Sequence, residues 1–207
     1  EYHIDGICQV QINDKTGLTF ASVLRSVLRQ DPDIIAVGEI RDGETAEIAM
    51  RAAMTGHLVL STIHTNNALS SIDRLLDIGV EPYLIAGAVK GIVSQRLLRK
   101  VCPHCKKPYT PSLEEQAALG LEPGDYRFYK GAGCGECFGT GYRGRTGSFE
   151  ILSINPAIRR AIHSRSLKEL EAAMELTDFH PMIENCRKLV LDGLTSSEEV
   201  QRVLGGG

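Results

Sequence analysis

The sequence lacks an excess of charge of either sign and a long uninterrupted apolar run. Its 207 residues carry 23 basic and 26 acidic side chains, for a net charge of −3. Electrostatics therefore give no reason to expect nucleic acid as the main partner. The longest apolar stretch, near Leu84–Leu98, is interrupted by Lys90, Gln95 and Arg96. These polar side chains exclude a helix that spans a bilayer, and we expect no direct membrane insertion.

Four of the six cysteines form two equally spaced pairs, Cys102-Pro-His-Cys105 and Cys134-Gly-Glu-Cys137. Two thiolates separated by two residues can bind one ion from a tight turn, and two such pairs supply the ligands of a tetrahedral structural zinc site. A redox-active pair and unrelated core thiols are the alternatives. Because the segment 100–147 has few aliphatic residues and many Gly and Pro, we expect metal rather than apolar burial to hold its shape.

The other two cysteines are predicted to be small core hydrophobes. Cys8, Val10 and Ile12 alternate with glutamines, which is typical of a half-buried strand with Cys8 facing inward. Cys186 lies on the apolar face of a predicted helix. Since no signal peptide is recognisable and metal explains the paired thiols better than disulfides do, we expect a cytoplasmic protein.

The hydrophobic pattern predicts an α/β fold. From Cys8 to about Leu98, short apolar runs alternate with helical patterns, as in a parallel sheet. Continuous apolar runs at Ile34–Val37 and Leu58–Leu60 predict two buried strands. Helices are predicted before Pro32, from Asp42 to Gly56, ending at Gly79, from Leu84 through Val93, and repeatedly from Pro156 onward.

Polar residues follow both predicted strands at the sheet edge where ligands bind in open parallel α/β folds. Glu39 follows the first strand, and His64 follows the second. A carboxylate at this edge suits the orientation or deprotonation of a water that attacks a γ-phosphate. An ordinary surface carboxylate near a helix start is the alternative. His57 precedes the second strand, so we expect it at the opposite end, where a structural role fits better.

Three ordered motifs lie in the α/β half of the chain: Leu28–Asp33, Val37–Asp42 and Thr55–Asn66. Together they closely resemble the type II secretion and type IV pilus assembly ATPases. The paired cysteines are similar to the metal-binding module of the secretion and pilus-extension branch, so the resemblance covers nearly the whole chain. It implies a partial RecA-like parallel sheet, a four-cysteine zinc module and a C-terminal helical subdomain.

The resemblance also implies roles for particular residues. Glu39 matches the catalytic glutamate of the family's atypical Walker B motif, and His57 and His64 match its His box. Glu1 matches the last carboxylate of the acidic Asp box, which helps to place the metal and the water in this family.

Three arginines are candidates for sensing nucleotide phosphates. Arg25 and Arg29 lie one helical turn apart, and by resemblance they act on phosphate within or between subunits. A solvated helix face is the alternative. Arg41 is the third candidate, although it could equally pair with Asp42 or Glu44.

The sequence contains no G-x-x-x-x-G-K-[ST] phosphate loop and no Gly-Lys dipeptide. That loop cradles the phosphates and binds Mg²⁺ in this class of enzyme. We therefore interpret the chain as the C-terminal fragment of a longer ATPase that uses ATP and Mg²⁺, and we expect the fragment to be inactive alone. A naturally split or degenerate paralogue is the alternative.

A protein-binding module without catalysis is the rival hypothesis. Residues 134–141 also resemble one repeat of a DnaJ-type zinc-binding chaperone, a family that needs several such repeats. A zinc-ribbon adaptor would leave the long α/β half unexplained. The G-x-G-x-x-G pattern at Gly139–Gly144 follows a cysteine pair rather than a buried strand, so it predicts turns and not a dinucleotide site.

The predicted organisation has three parts. Residues 1–100 form the C-terminal part of a RecA-like ATPase core, 101–147 the zinc-binding module, and 148–207 the C-terminal helical subdomain. The resemblance implies a homohexamer that hydrolyses ATP between adjacent subunits and acts on an inner-membrane platform protein. The protein is therefore expected in the cytoplasm, where its partners would hold it at the inner membrane.

Overall fold

The computed structural model describes residues 2–205. Its strands are β1 (Ile34–Val37), β2 (Leu58–Ser61), β3 (Gly91–Val101), β4 (Lys106–Tyr109), β5 (Phe128–Gly131) and β6 (Tyr142–Ser153). Its α-helices are α1 (Phe20–Val27), α2 (Gly43–Met54), α3 (Ala68–Asp77), α4 (Pro82–Ala88), α5 (Leu113–Ala118), α6 (Pro156–Ser164), α7 (Leu167–Glu175), α8 (Met182–Leu191) and α9 (Ser197–Leu204). Strands β1 and β2 pair in parallel, so the predicted α/β class with a parallel sheet is confirmed.

The chain divides into two compact units. The first comprises Glu1–Thr65, Leu69–Ile92 and Ser153–Leu176, and the second comprises Asn66–Ala68, Val93–Leu152 and Thr177–Gly207. These two units are defined by the compactness of their packing. The predicted division into an ATPase core, a zinc-binding module and a helical subdomain, with boundaries at residues 100 and 147, stays a prediction.

The first unit has its core on one face of the β1–β2 pair. The buried residues of this core come from α1, β1 and α2: Leu24, Ile35, Val37, Ala49 and Ala52. Helix α1 begins where Thr19 and Ser22 form a capping box, with the Ser22 N–H donating to Thr19 Oγ1 at 3.2 Å. Asp42 caps α2 from the position before its first residue, and its carboxylate accepts from the Thr45 N–H at 2.8 Å. These caps fix where each helix starts beside the strands.

The predicted helix from Leu84 through Val93 is wrong in its second half. Helix α4 ends at Ala88, Val89 is extended (φ −69°, ψ 127°), and β3 begins at Gly91. Valine and isoleucine favour strands because of their branched β-carbon, which outweighs the helical spacing here. The described residues contain no helix that is both long enough and apolar enough to cross a bilayer.

The second unit has a larger apolar core than the sequence suggests. Its buried members are Leu98, Leu119, Phe128, Met182, Cys186, Val190 and Val200. Leu119 and Phe128 are completely buried although both belong to the segment that was expected to lack apolar burial. The expectation of little apolar burial is therefore wrong for this segment, and the expectation that metal holds its shape stays a prediction.

Of the predictions for the two cysteines outside the C-x-x-C pairs, one is confirmed and one is wrong. Cys186 is buried on α8, as predicted. Cys8 is exposed, because residues 8–12 form no strand in the described part of the chain. The alternating pattern around Cys8 therefore gave a wrong prediction.

Candidate functional site

The carboxyl ends of β1 and β2 meet at one edge of the sheet. In the parallel register Val37 lies opposite Ser61. Beyond the strands, the Ile40 N–H donates to the Thr62 carbonyl at 2.9 Å, and Thr62 Oγ1 donates to the Gly38 carbonyl at 2.8 Å. These two bonds hold the loops that carry the predicted catalytic side chains side by side.

Glu39 and His64 meet at this edge, as the strand pattern predicts. His64 Nε2 lies 3.5 Å from Glu39 Oε2, and the Arg41 guanidinium donates to the other carboxylate oxygen, Oε1. The hydrogen bond from Arg41 lowers the pKa of Glu39, against the opposing effect of burial, and the charges of Arg41 and His64 lower it further. Glu39 is therefore a carboxylate at neutral pH.

The Arg41–Glu39 ion pair is one that sequence reasoning missed. The predicted partners of Arg41 were Asp42 and Glu44. Asp42 instead caps α2, where it also accepts from the Thr45 hydroxyl at 3.0 Å, and Glu44 accepts from Arg25 at 2.6 Å. Only the observed loop geometry shows that Glu39 is the carboxylate within reach of Arg41.

His57 lies at the other end of β2. Its Nδ1 is 3.0 Å from the Ala52 carbonyl at the end of α2 and 3.4 Å from Thr55 Oγ1. The neighbouring Leu58 N–H donates to the Asp33 carbonyl just before β1. The structure thus separates His57 from the edge that carries Glu39.

The remaining candidates lie outside this cluster. Arg25, on α1, forms an exposed ion pair with Glu44 at the start of α2. Arg29 is exposed in a short 3₁₀ turn that follows α1. Glu1 lies outside the described residues, so its predicted role in placing metal and water stays a prediction.

The structure brings the four paired cysteines together in the second unit. All four sulfur atoms lie within 4.8 Å of one another. The Sγ–Sγ distances are 3.9 Å for Cys102–Cys134, 3.9 Å for Cys105–Cys137 and 3.7 Å for Cys134–Cys137. Tetrahedral coordination with Zn–S bonds of about 2.3 Å separates the sulfurs by about 3.8 Å. The observed cluster fits that geometry.

Backbone turns position each cysteine pair. The Cys105 N–H donates to the Cys102 carbonyl and the Cys137 N–H to the Cys134 carbonyl, each at 3.3 Å. Burial raises the pKa of Cys105 to about 11. Burial also acts to raise the pKa of Cys137, but backbone N–H groups of Cys134 and Gly141 outweigh it and lower that pKa to about 6. Donors already directed at one sulfur are typical of a cluster that stabilises thiolates.

Comparison with known proteins gives the family. The family model described as "Type II/IV secretion system protein" matches residues 1–202. The chain belongs to the type II/IV secretion system protein family. This result confirms the resemblance on which the sequence interpretation depends.

The relatives of this family member include secretion and pilus proteins. The chain is 48% identical over 204 residues to type II secretion system protein E of Pseudomonas aeruginosa, covering 98% of this chain and 41% of the relative. It is also 48% identical over 204 residues to the type IV pilus assembly ATPase PilB of Thermus thermophilus, covering 97% of this chain and 23% of the relative. The chain thus spans less than half the length of these relatives.

Two solved structures share the fold. The pilus retraction motor PilT, solved with bound ADP, superimposes with a TM-score of 0.62 at 32% identity, covering 89% of this chain and 43% of that one. The ATPase DotB of Legionella pneumophila superimposes with a TM-score of 0.63 at 20% identity, covering 91% and 43%. The second likeness is one of fold alone.

Proposed function

We propose that this chain is the C-terminal part of an ATP-hydrolysing motor that powers type II protein secretion or type IV pilus assembly. The observation that carries the proposal is the meeting of Glu39 and His64 at the carboxyl edge of β1 and β2. Membership of the family supplies the class of reaction. The edge supplies a carboxylate where parallel α/β sheets bind their ligands.

In the proposed reaction, Glu39 orients the attacking water and accepts its proton as the γ-phosphoryl group is transferred. Glu39 is ionised at neutral pH, as a group that orients the water must be, although its lowered pKa makes it a weaker proton acceptor than an unpaired glutamate. His64 is 88% exposed beside Glu39, which leaves its ring accessible to a substrate. The position of His57 at the far end of β2 supports a structural role within the His box.

The arginines are proposed to stabilise phosphate charge. Arg25 and Arg29 are exposed, as an arginine that reaches across a subunit boundary must be. Arg41 pairs with Glu39 and is proposed to act through that carboxylate as well as on phosphate. Glu1 is proposed to help place Mg²⁺ and the water. The 207 residues contain no phosphate loop, so we propose that the intact parent supplies it and thereby binds ATP and Mg²⁺.

We further propose that Cys102, Cys105, Cys134 and Cys137 bind one structural Zn²⁺. Four thiolates at the observed sulfur separations leave no open coordination position, which suits a structural rather than a catalytic ion. The ion would link the turn after β3 to the turn before β6.

The proposed assembly is a homohexamer that hydrolyses ATP at the boundaries between subunits. Its proposed partner is an inner-membrane platform protein, which would receive rigid-body movements of the ring. The proposed location is the cytoplasm, at the inner membrane through that partner.

Steady-state ATP hydrolysis tests the proposal. The full-length parent should hydrolyse ATP with Mg²⁺, whereas the isolated 207-residue chain should show only the background rate, because Glu39 alone has no bound phosphate to act on. Equal rates for the two proteins, or no hydrolysis by an oligomeric full-length parent, would contradict it.

A further inference from the structure

The carboxylate of Glu199 is completely buried in the second unit and is shared by two arginines. It accepts from the backbone N–H of Arg99 at 2.9 Å and from the Arg99 guanidinium at 2.7 and 2.9 Å. The Arg202 guanidinium donates to both of its oxygens at 2.7 Å. A buried carboxylate without such donors would be strongly destabilising. Glu199 therefore fastens α9 to β3 through Arg99.

Arg99 also contacts Tyr142, the first residue of β6. Its guanidinium carbon lies 4.2 Å from the centre of the Tyr142 ring. The Tyr142 hydroxyl lies 2.6 Å from Ser196 Oγ, and Ser196 caps α9 by accepting from the Glu199 N–H at 3.2 Å. Tyr142 thus contacts Arg99 on β3 and Ser196, which caps α9.

The same tyrosine directly follows Gly141, which contacts the cysteine cluster. Gly141, its neighbour, donates its N–H to Cys137 Sγ at 3.2 Å and accepts from the Cys102 N–H at 2.9 Å. On the β3 side, the Val101 N–H donates to the Leu194 carbonyl, in the loop that leads to α9. Two short paths therefore connect the cysteine cluster with α9.

We propose that α9 and the four-cysteine site are thermodynamically coupled, with Tyr142 and Glu199 as positioning residues. When α9 is docked, Tyr142 and Arg99 hold the Gly141 turn that supports Cys137, so the metal is bound more tightly. By linkage, bound metal must stabilise the docked α9 to the same extent. The proposal rests on the zinc site proposed above and is independent of ATP hydrolysis.

The first test measures the zinc affinity of the purified chain by competition at equilibrium with a chromogenic chelator. Loss of groups that orient metal ligands typically weakens binding by about 10 to 100-fold. We expect Glu199→Gln to bind zinc at least about 10-fold more weakly, and Tyr142→Phe to weaken binding by less. Glu198→Gln, on the exposed side of α9, and Tyr129→Phe, whose ring also carries a cation, Lys106, should match the wild type.

The second test measures amide hydrogen exchange with and without zinc. Removal of zinc should speed exchange in α9 by about 10-fold or more, within the usual range of coupling between sites, and should leave α2 unchanged. Unchanged α9 exchange in a chain that binds one zinc would overturn the coupling while leaving the zinc site intact. A folded chain that binds no zinc would overturn both. If Glu199→Gln does not fold, Tyr142→Phe decides, and wild-type values for it in both measurements would refute the proposal.

Discussion

Arg41 and Glu39, two residues apart in the loop after β1, form an ion pair in which the guanidinium occupies one carboxylate oxygen while His64 approaches the other. This relationship makes Arg41 the main cause of the lowered pKa of Glu39. It also links a proposed phosphate-sensing residue to the proposed base.

The first prediction is that Arg41→Ala raises the pKa of Glu39. Removing the guanidinium removes the largest favourable contact of the carboxylate, so protonation becomes easier. NMR titration of the Glu39 side-chain carbonyl in the isolated chain measures this directly. Arg51→Ala is the matched control, because Arg51 pairs with Glu47 on the exposed side of α2. An unchanged Glu39 titration in Arg41→Ala would show that the ion pair does not form in solution.

The second prediction concerns the acid sensitivity of the second unit. Arg202 and Arg99 outweigh the effect of burial and lower the pKa of Glu199 to about 2, from an ordinary 4.5. A carboxyl group whose pKa is lower in the folded state than in the unfolded state stabilises the fold fully when the pH is above its unfolded-state pKa. This stabilisation is lost as the pH falls from about 4.5 towards 2. Glu199→Gln should therefore reduce the free energy of unfolding at pH 7, on the order of 2 to 3 kcal/mol.

Urea denaturation at pH 7 and pH 3 tests this second prediction. The difference between wild type and Glu199→Gln should shrink at pH 3, since the wild-type carboxylate is then losing its advantage. The exposed neighbour Glu198, changed to Gln, should alter stability by less than about 0.5 kcal/mol at pH 7. A pH-independent difference for Glu199→Gln would remove ionisation from the explanation.

The third prediction concerns the close approach of two glycines beside the cysteine cluster. A β-carbon added to Gly131 would lie 2.0 Å from the Gly141 carbonyl oxygen and 2.5 Å from its Cα. Backbone atoms cannot move aside as a flexible side chain can, so Gly131→Ala should displace the turn beside Cys137 and reduce the zinc content well below one ion per chain. Gly135→Ala is the control, because a β-carbon there meets nothing within 4 Å. Elemental analysis of both variants measures their zinc content. Full zinc retention in Gly131→Ala would show that the turn is not needed for metal binding.

The parts of this structure that the sequence predicts depend on local rules. The apolar runs of β1 and β2 and the carboxyl-edge rule place Glu39 beside His64, because parallel strands end at the same side of a sheet. The equal spacing of the cysteine pairs predicts that they cluster, because a two-residue separation allows one turn to direct both sulfurs at an ion.

Other features depend on competing local patterns, competing ion-pair partners or long-range contacts, which the sequence alone does not resolve. Ile92 and Val93 fit both a helical and a strand pattern, and their branching and the extended Val89 decide for β3. The partner of Arg41 depends on Asp42 and Glu44 being engaged elsewhere. The contact of Glu199 with Arg99 joins residues 100 positions apart, which no local pattern predicts.

The most direct test of the central claim is the turnover of ATP by Glu39→Gln in the full-length parent. The amide keeps the size of the side chain and loses the ability to accept a proton, so hydrolysis should be abolished while ATP binding is retained. Glu47→Gln, which alters another exposed glutamate–arginine pair, should hydrolyse ATP at the wild-type rate. Wild-type turnover by Glu39→Gln would contradict the assignment of Glu39 as the base and, with it, of the β1–β2 edge as the catalytic site.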